Sequence, residues 1–230
     1  MSLQTDVVTP HPVRLEIAGI ALHADLALPS GAAGLVVFAH GSGSSRHSSR
    51  NRAVAQVLQA SGLATLLLDL LTEPEERADA VTGEFRFDIP LLAERVVGAI
   101  DWAQAHAPTA LLPIGLFGAS TGAAAALIAA AVRPKIVRAV VSRGGRADMA
   151  ESALDVVTAP TLLIVGERDD VVLELNRQAL ERLTGPKELH IIPAASHLFE
   201  EPGALDDVAH LTAQWFRRQL TEPRNPELRN

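Results

Sequence analysis

The 230-residue chain reads as an α/β domain, with an eight-stranded, mostly parallel sheet flanked by helices and opened by an antiparallel N-terminal hairpin. Three observations lead there. Short apolar runs alternate with helical stretches along most of the chain, the pattern of successive βα units. The runs are continuously apolar, which suits parallel strands covered on both faces. The length and a hydrophobic fraction of 48% are enough for one core of single-domain size.

The elements follow in order. Residues 13–17 and 20–28 flank Ala18-Gly19 and read as the hairpin. Strand runs then fall at 35–39, 64–68, 114–117, 137–141, 161–165 and 188–192. Helical stretches fall at 51–60, 91–105, 122–132, 173–183 and 208–220, with a long connection at 71–88. No repeat or linker divides the chain, so residues 1–220 form one domain and 221–230, rich in Pro, Glu and Asn, form a tail. Only about seventeen residues, 144–160, separate the sixth and seventh strands, which predicts that a large cap domain is absent.

Composition removes several function classes. A net charge of −7, from 27 acids and 20 bases, provides no general attraction to nucleic acid or to anionic lipid. With no cysteine, disulfides, thiolate metal sites and a cysteine nucleophile are excluded, and a reducing, cytoplasmic compartment is the expectation. The N-terminal residues show no signal-peptide pattern, and the longest apolar stretch, 123–132, is about half of what a bilayer crossing needs. No cofactor or metal is expected.

In a parallel α/β sheet, ligands bind where strands end at their carboxyl edge. Those edges read His40-Gly41-Ser42-Gly43, Asp69, Gly118-Ala119-Ser120-Thr121-Gly122, Arg143-Gly144-Gly145-Arg146, Gly166-Glu167-Arg168-Asp169 and Ala195-Ser196-His197. The third fits G-x-S-x-G. With this chain's glycine and serine frequencies it would arise by chance in roughly one such sequence in twenty, so context matters. An apolar strand enters the motif and an alanine-rich helix leaves it, the strand-to-helix elbow that exposes a strained serine hydroxyl. The competing reading is a small-residue turn that merely lets helix and strand pack.

A serine hydroxyl becomes a useful nucleophile when a histidine held by a carboxylate takes its proton. His197 and Asp169 follow the last two strands, so the chain order is Ser120, Asp169, His197. Asp170 is adjacent; Asp169 is favoured by its G-x-x-D position, and the choice between them stays open at this level. Donors for a developing oxyanion are expected from the backbone N–H groups of Thr121 and Ser42, with His40 bracing the latter's loop. A phosphate-binding reading of that glycine-rich loop lacks the third glycine of G-x-G-x-x-G and the Gly-Lys-Ser/Thr ending of a P-loop.

On these residues the chain resembles the α/β-hydrolase fold, and more narrowly its dienelactone hydrolase-like branch, over residues 13–220. The supports are His40-Gly41, the 118–122 elbow, Gly166-x-x-Asp169 and Ser196-His197, each in the family's position and order. The segments at 46–52 and 142–146 also resemble small hydrolases that sometimes occur joined to phosphoribosyltransferase domains. Dienelactone hydrolases proper use a cysteine nucleophile where Ser120 stands, so their lactone substrate does not carry over. The resemblance implies a cofactor-independent serine hydrolase acting on an ester, lactone or thioester of a small molecule. Acyl transfer, perhydrolysis, lyase chemistry or a non-catalytic ligand-binding role are the alternatives.

Arginines at two strand edges suggest an anionic substrate: Arg46 and Arg50 after the third strand, Arg143 and Arg146 after the sixth. Arg143 and Arg46 are the candidate substrate ligands, against the competing reading that these arginines only pair with protein carboxylates. Phe199, with Leu198, Phe85 and Phe87, is a candidate cover for the site, against a role as simple core filler.

Overall fold

The computed structural model of the chain describes residues 8–221, so all but the first residue of the expected 221–230 tail lies outside the described residues. The strands are β1 (His11–Ile17), β2 (Ile20–Ala27), β3 (Leu35–Ala39), β4 (Ala64–Leu68), β5 (Ile114–Ala119), β6 (Val137–Arg143), β7 (Thr161–Gly166) and β8 (Lys187–Ile192). The helices are α1 (Ser49–Ala60), α2 (Glu73–Thr82), α3 (Ile89–Ala105), α4 (Thr121–Val132), α5 (Asp170–Arg182) and α6 (Ala204–Thr221). One sheet contains all eight strands in the order β1-β2-β4-β3-β5-β6-β7-β8. The pairings β1–β2 and β2–β4 are antiparallel, and every pairing from β4–β3 to β7–β8 is parallel. The fold is that of an α/β hydrolase without a cap: between β6 and β7 lies only a short run of 3-10 turns at Ala147–Val156.

Ala18 and Gly19 close the hairpin with φ of 49° and 83°, the left-handed pair that matches the twist of a two-residue turn. The continuous apolar character of the central strands has a direct cause. On β3, Leu35, Val37 and Ala39 pack into the core under α3 and α4, while Val36 and Phe38 pack into a second core under α1 and α6. Both faces are covered, so neither set of alternate residues is free to be polar. Burying a leucine or phenylalanine of this kind contributes about 1.5–3 kcal/mol, and the sheet is thereby a rigid platform for its carboxyl edge.

The long connection expected at 71–88 is more ordered than its composition suggests. Thr72 caps α2 by accepting the Glu75 N–H while the Glu75 carboxylate accepts the Thr72 N–H, and Gly83 ends the helix at φ 71°. Phe85–Phe87 forms a 3-10 turn beyond it. Asp79 pins that turn, its carboxylate accepting from the N–H groups of Phe85 and Arg86 at 2.9 Å each and from Arg86 Nε at 2.7 Å. Among the described residues, no helix is long and apolar enough to cross a membrane.

Candidate active site

Ser120 stands between β5 and α4 at φ 50°, ψ −124°, a conformation that costs a non-glycine residue on the order of 1–3 kcal/mol and persists only where the surroundings impose it. The imposing contacts are visible. The Ser120 N–H donates to the Arg143 carbonyl on β6 at 3.3 Å, and the Ser120 carbonyl accepts the N–H groups of Ala123 (3.1 Å) and Arg146 (3.0 Å). The flanking glycines are dictated by close approach. A β-carbon on Gly122 would lie 2.3 Å from the Ala39 carbonyl oxygen, and one on Gly118 would lie 2.4 Å from the Ala123 Cα.

Thr121 is the first residue of α4, so its N–H has no acceptor within the helix. The loop after β3 passes directly over the serine: a β-carbon on Gly41 would lie 2.9 Å from Ser120 Cβ and 3.6 Å from its Oγ. Gly41 to Ser44 make a turn closed by the Ser44 N–H on the Gly41 carbonyl at 3.2 Å, with Gly43 at φ 67°. Such a turn leaves the N–H of its second residue, Ser42, unused. His40 anchors the loop from below. Its Nε2 accepts the Leu70 N–H at 3.0 Å, which places the proton on Nδ1, donating to the Gly41 carbonyl at 2.9 Å. Burial pushes the His40 pKa down, outweighing the upward pull of the Gly41 carbonyl and of Asp69, so the ring stays neutral.

Asp169 and His197 come together: Nδ1 of the imidazole lies 2.5 Å from the Asp169 carboxylate. Asp170, by contrast, opens α5 and is exposed. The loops that carry the pair are bound to each other. Arg168 N–H donates to the Ala195 carbonyl at 2.9 Å, Glu167 accepts the Ala194 N–H at 2.7 Å, and Glu201 accepts the Ser196 N–H at 3.0 Å. That last bond is the leading reason the Glu201 carboxyl titrates below its usual range. Glu167 and Glu201 are positioning residues absent from the sequence reading; acids close to the two candidate residues were the available signal. Gly144 then joins the histidine to the serine. At φ 50°, a β-carbon there would lie 3.2 Å from the His197 carbonyl and 3.5 Å from His197 Cε1, and the preceding residue, Arg143, is the one that receives the Ser120 N–H.

The substrate candidates divide. Arg46 is not available as a ligand: its backbone N–H and guanidinium both bond to Asp69, and Nε lies 3.5 Å from Asp25. Arg146 is held by Asp148 at 2.7 Å. Among the described residues Arg143 has no carboxylate partner; it is 8% exposed and its one side-chain hydrogen bond goes from Nη2 to Asn51 Oδ1 at 3.4 Å. Of the two readings of Phe199, cover or core filler, the structure shows the second: it is buried on the α6 side of the sheet. Phe85 packs on the opposite core and Phe87 is exposed. The wall that the 71–88 connection does supply mixes Leu71 and Ala80 with Glu76, Asp79 and Arg86. A cleft of about 500 Å³ runs beside the 41–45 loop, bounded across by Leu71, Glu76 and Arg86.

No family model matches the chain. A solved structure of a dienelactone hydrolase from Anabaena variabilis is 57% identical, covers 93% of this chain and 99% of its own, and superposes with a TM-score of 0.91. Two curated proteins of Mycobacterium tuberculosis, strains CDC 1551 and H37Rv, carry a provisional phosphoribosyl transferase name and are each 53% identical over 223 residues. That match covers 95% of this chain but 49% of theirs, so the chain spans about half the length of the curated relatives it matches. A lidless α/β serine hydrolase from Xanthomonas campestris, 22% identical over 93% of this chain and 96% of its own with a TM-score of 0.71, shares the fold.

Proposed function

The chain belongs to the dienelactone hydrolase branch of the α/β-hydrolase superfamily, and from that premise we propose that it is a serine hydrolase cleaving an ester, lactone or thioester of a small substrate. The observation that carries the reading is the 2.5 Å contact of His197 Nδ1 with Asp169 on the same sheet edge as the strained Ser120 elbow.

Chemically, Asp169 accepts the Nδ1 proton, which leaves the lone pair on His197 Nε2 to take the proton of Ser120 Oγ as it attacks the carbonyl. The resulting oxyanion is met by the N–H groups of Thr121 and Ser42, and the N-terminus of the twelve-residue α4 adds its positive end. His197 then gives the proton to the departing oxygen or sulfur. Water, activated by the same imidazole, releases the acyl group from Ser120 and restores the enzyme. The cleft beside the 41–45 loop is lined by Gly41 and Ser42, and Gly41 lies against Ser120, so a substrate held there adjoins the serine. The phosphoribosyl transferase name of the curated relatives covers proteins of which this chain matches about half, and the reading here rests on the groups around Ser120.

The test pairs a fluorophosphonate probe with a short-chain aryl ester. Labelling at Ser120 and hydrolysis by the wild type, both lost in Ser120→Ala, are the expected results. A folded protein that neither labels nor hydrolyses across neutral and mildly basic pH would assign the site to ligand binding alone.

A further inference from the structure

Among the described residues, the buried arginine Arg95 and the half-buried Arg46 are neutralised by carboxylates, and Arg143 is not. Arg95 meets Glu75 at 3.0 Å, and Arg46 meets Asp69. Arg143 is as buried as Arg95, yet its Nε and Nη1 have neither a hydrogen-bond partner nor solvent. The charged neighbour that acts on it is another cation, Arg50. Burial, and then Arg50, lower the Arg143 pKa to about 10, which still leaves it charged at neutral pH. Removing such a donor set from water without an acceptor is costly, so an arginine kept in this state calls for an anion.

The surroundings describe that anion. Arg143 ends β6 opposite Ala119, the residue before the candidate nucleophile, and its side chain reaches Asn51 at the start of α1. Arg50 precedes Asn51 in the same first helical turn, which contains no acidic residue, so the positive helix end adds to the field. Arg50 Nε is also buried without a partner, and its one counter-charge is Glu200 at 3.8 Å. Glu200 is 68% exposed and Arg50 36%, so this pair forms a weak outer wall that an incoming anion can displace. Two guanidinium charges and a helix N-terminus exceed what one carboxylate neutralises; a phosphate-type group, with a charge near −2 and three acceptor oxygens, matches both.

We propose that Arg50 and Arg143 form an anion subsite, between the N-terminus of α1 and the loop bearing His197, for a phosphate-type dianion carried by the substrate. The proposal rests on the serine hydrolase reading for its location beside the reacting carbonyl, but the binding itself does not need catalysis.

The experiment therefore measures binding of inorganic phosphate to the full chain and to Ser120→Ala, by calorimetry and thermal shift at constant ionic strength, with acetate as the monoanion control. Saturable phosphate binding in both proteins, unmatched by acetate, is expected. Arg143→Met should bind phosphate roughly 10- to 100-fold more weakly, and it should melt no lower than the wild type, because a buried unpaired cation has been replaced by an apolar side chain. Glu200→Gln should bind more tightly, having lost the competing carboxylate. Arg50→Gln, altered at a more exposed position, should weaken phosphate binding in the same direction. Phosphate should raise KM without lowering kcat for a phosphate-bearing aryl ester; a fall in kcat instead would overturn a substrate-borne role. Wild-type affinity in both arginine variants, equal effects of acetate, or a lower melting temperature in Arg143→Met would overturn the subsite. Loss of hydrolysis with retained phosphate binding would fault the hydrolase reading alone.

Discussion

His197 and Asp169 meet at 2.5 Å although they issue from different strand edges, whereas Asp170, one residue further on, lies outside that contact at the start of α5. Asp169→Asn leaves an amide that cannot hold the imidazole in its required tautomer. It is expected to lower kcat for an aryl ester by about 10³- to 10⁴-fold with the fold intact. Asp170→Asn should stay within a few-fold of the wild type. Steady-state kinetics of the two variants side by side decide the assignment, and the reverse ranking would refute it.

Gly144 tests how tightly the histidine is seated. Its φ of 50° costs an alanine about 1–2 kcal/mol, and the new methyl would press on the His197 carbonyl and shift the residue that carries the ring. Gly144→Ala should lower the melting temperature and also cut kcat by on the order of tenfold or more, since small displacements of a catalytic base are expensive. A variant that loses stability while keeping full kcat would show that the ring position does not depend on this contact.

His40 should stabilise the protein without taking part in proton transfer. Truncation to alanine leaves the Leu70 N–H without its buried acceptor, an expected loss of about 1–3 kcal/mol. The pH dependence has a definite sign. Because the folded-state pKa lies below the ordinary 6.5, the unfolded chain takes up the proton first, and stability falls as pH drops below about 6.5 toward the lowered value. Denaturant midpoints measured between pH 8 and 5 should show this slope in the wild type and a shallower one in His40→Ala.

Asp79 should govern local order at the cleft wall. Burial alone would raise its carboxyl pKa, but the N–H and guanidinium of Arg86 and the N–H of Phe85 together hold it below the usual carboxylate range. That contribution is present above the ordinary carboxylate pKa and is lost as pH falls through the lowered one. Asp79→Asn should therefore speed amide exchange at Phe85 and Arg86 while leaving exchange in β3 and β5 unchanged.

The connection at 71–88 shows what was legible and what was not. Its helix lacks an apolar stripe, being built from Glu73, Glu75, Glu76 and Arg77, so hydrophobic periodicity passes over it. The local signals were nonetheless present, a Thr72-x-x-Glu75 capping box at one end and Gly83 at the other. For Phe199, read either as a cover or as core filler, the chain turns at φ 56° and the ring lies in the core under α6, a choice that depends on tertiary packing.

The sequence by itself determined the sheet, the covering of both its faces and the chain order of the residues at its carboxyl edge, because apolar runs, turn glycines and the G-x-S-x-G elbow are local patterns. Only the tertiary structure decided partnership. That Asp69 and Asp25 take Arg46, that Asp169 rather than Asp170 faces His197, and that Arg143 is buried beside Arg50 with no carboxylate are contacts between residues far apart in the chain. Electrostatic pairing depends on separation in space and on access to water, and spacing along a sequence encodes neither.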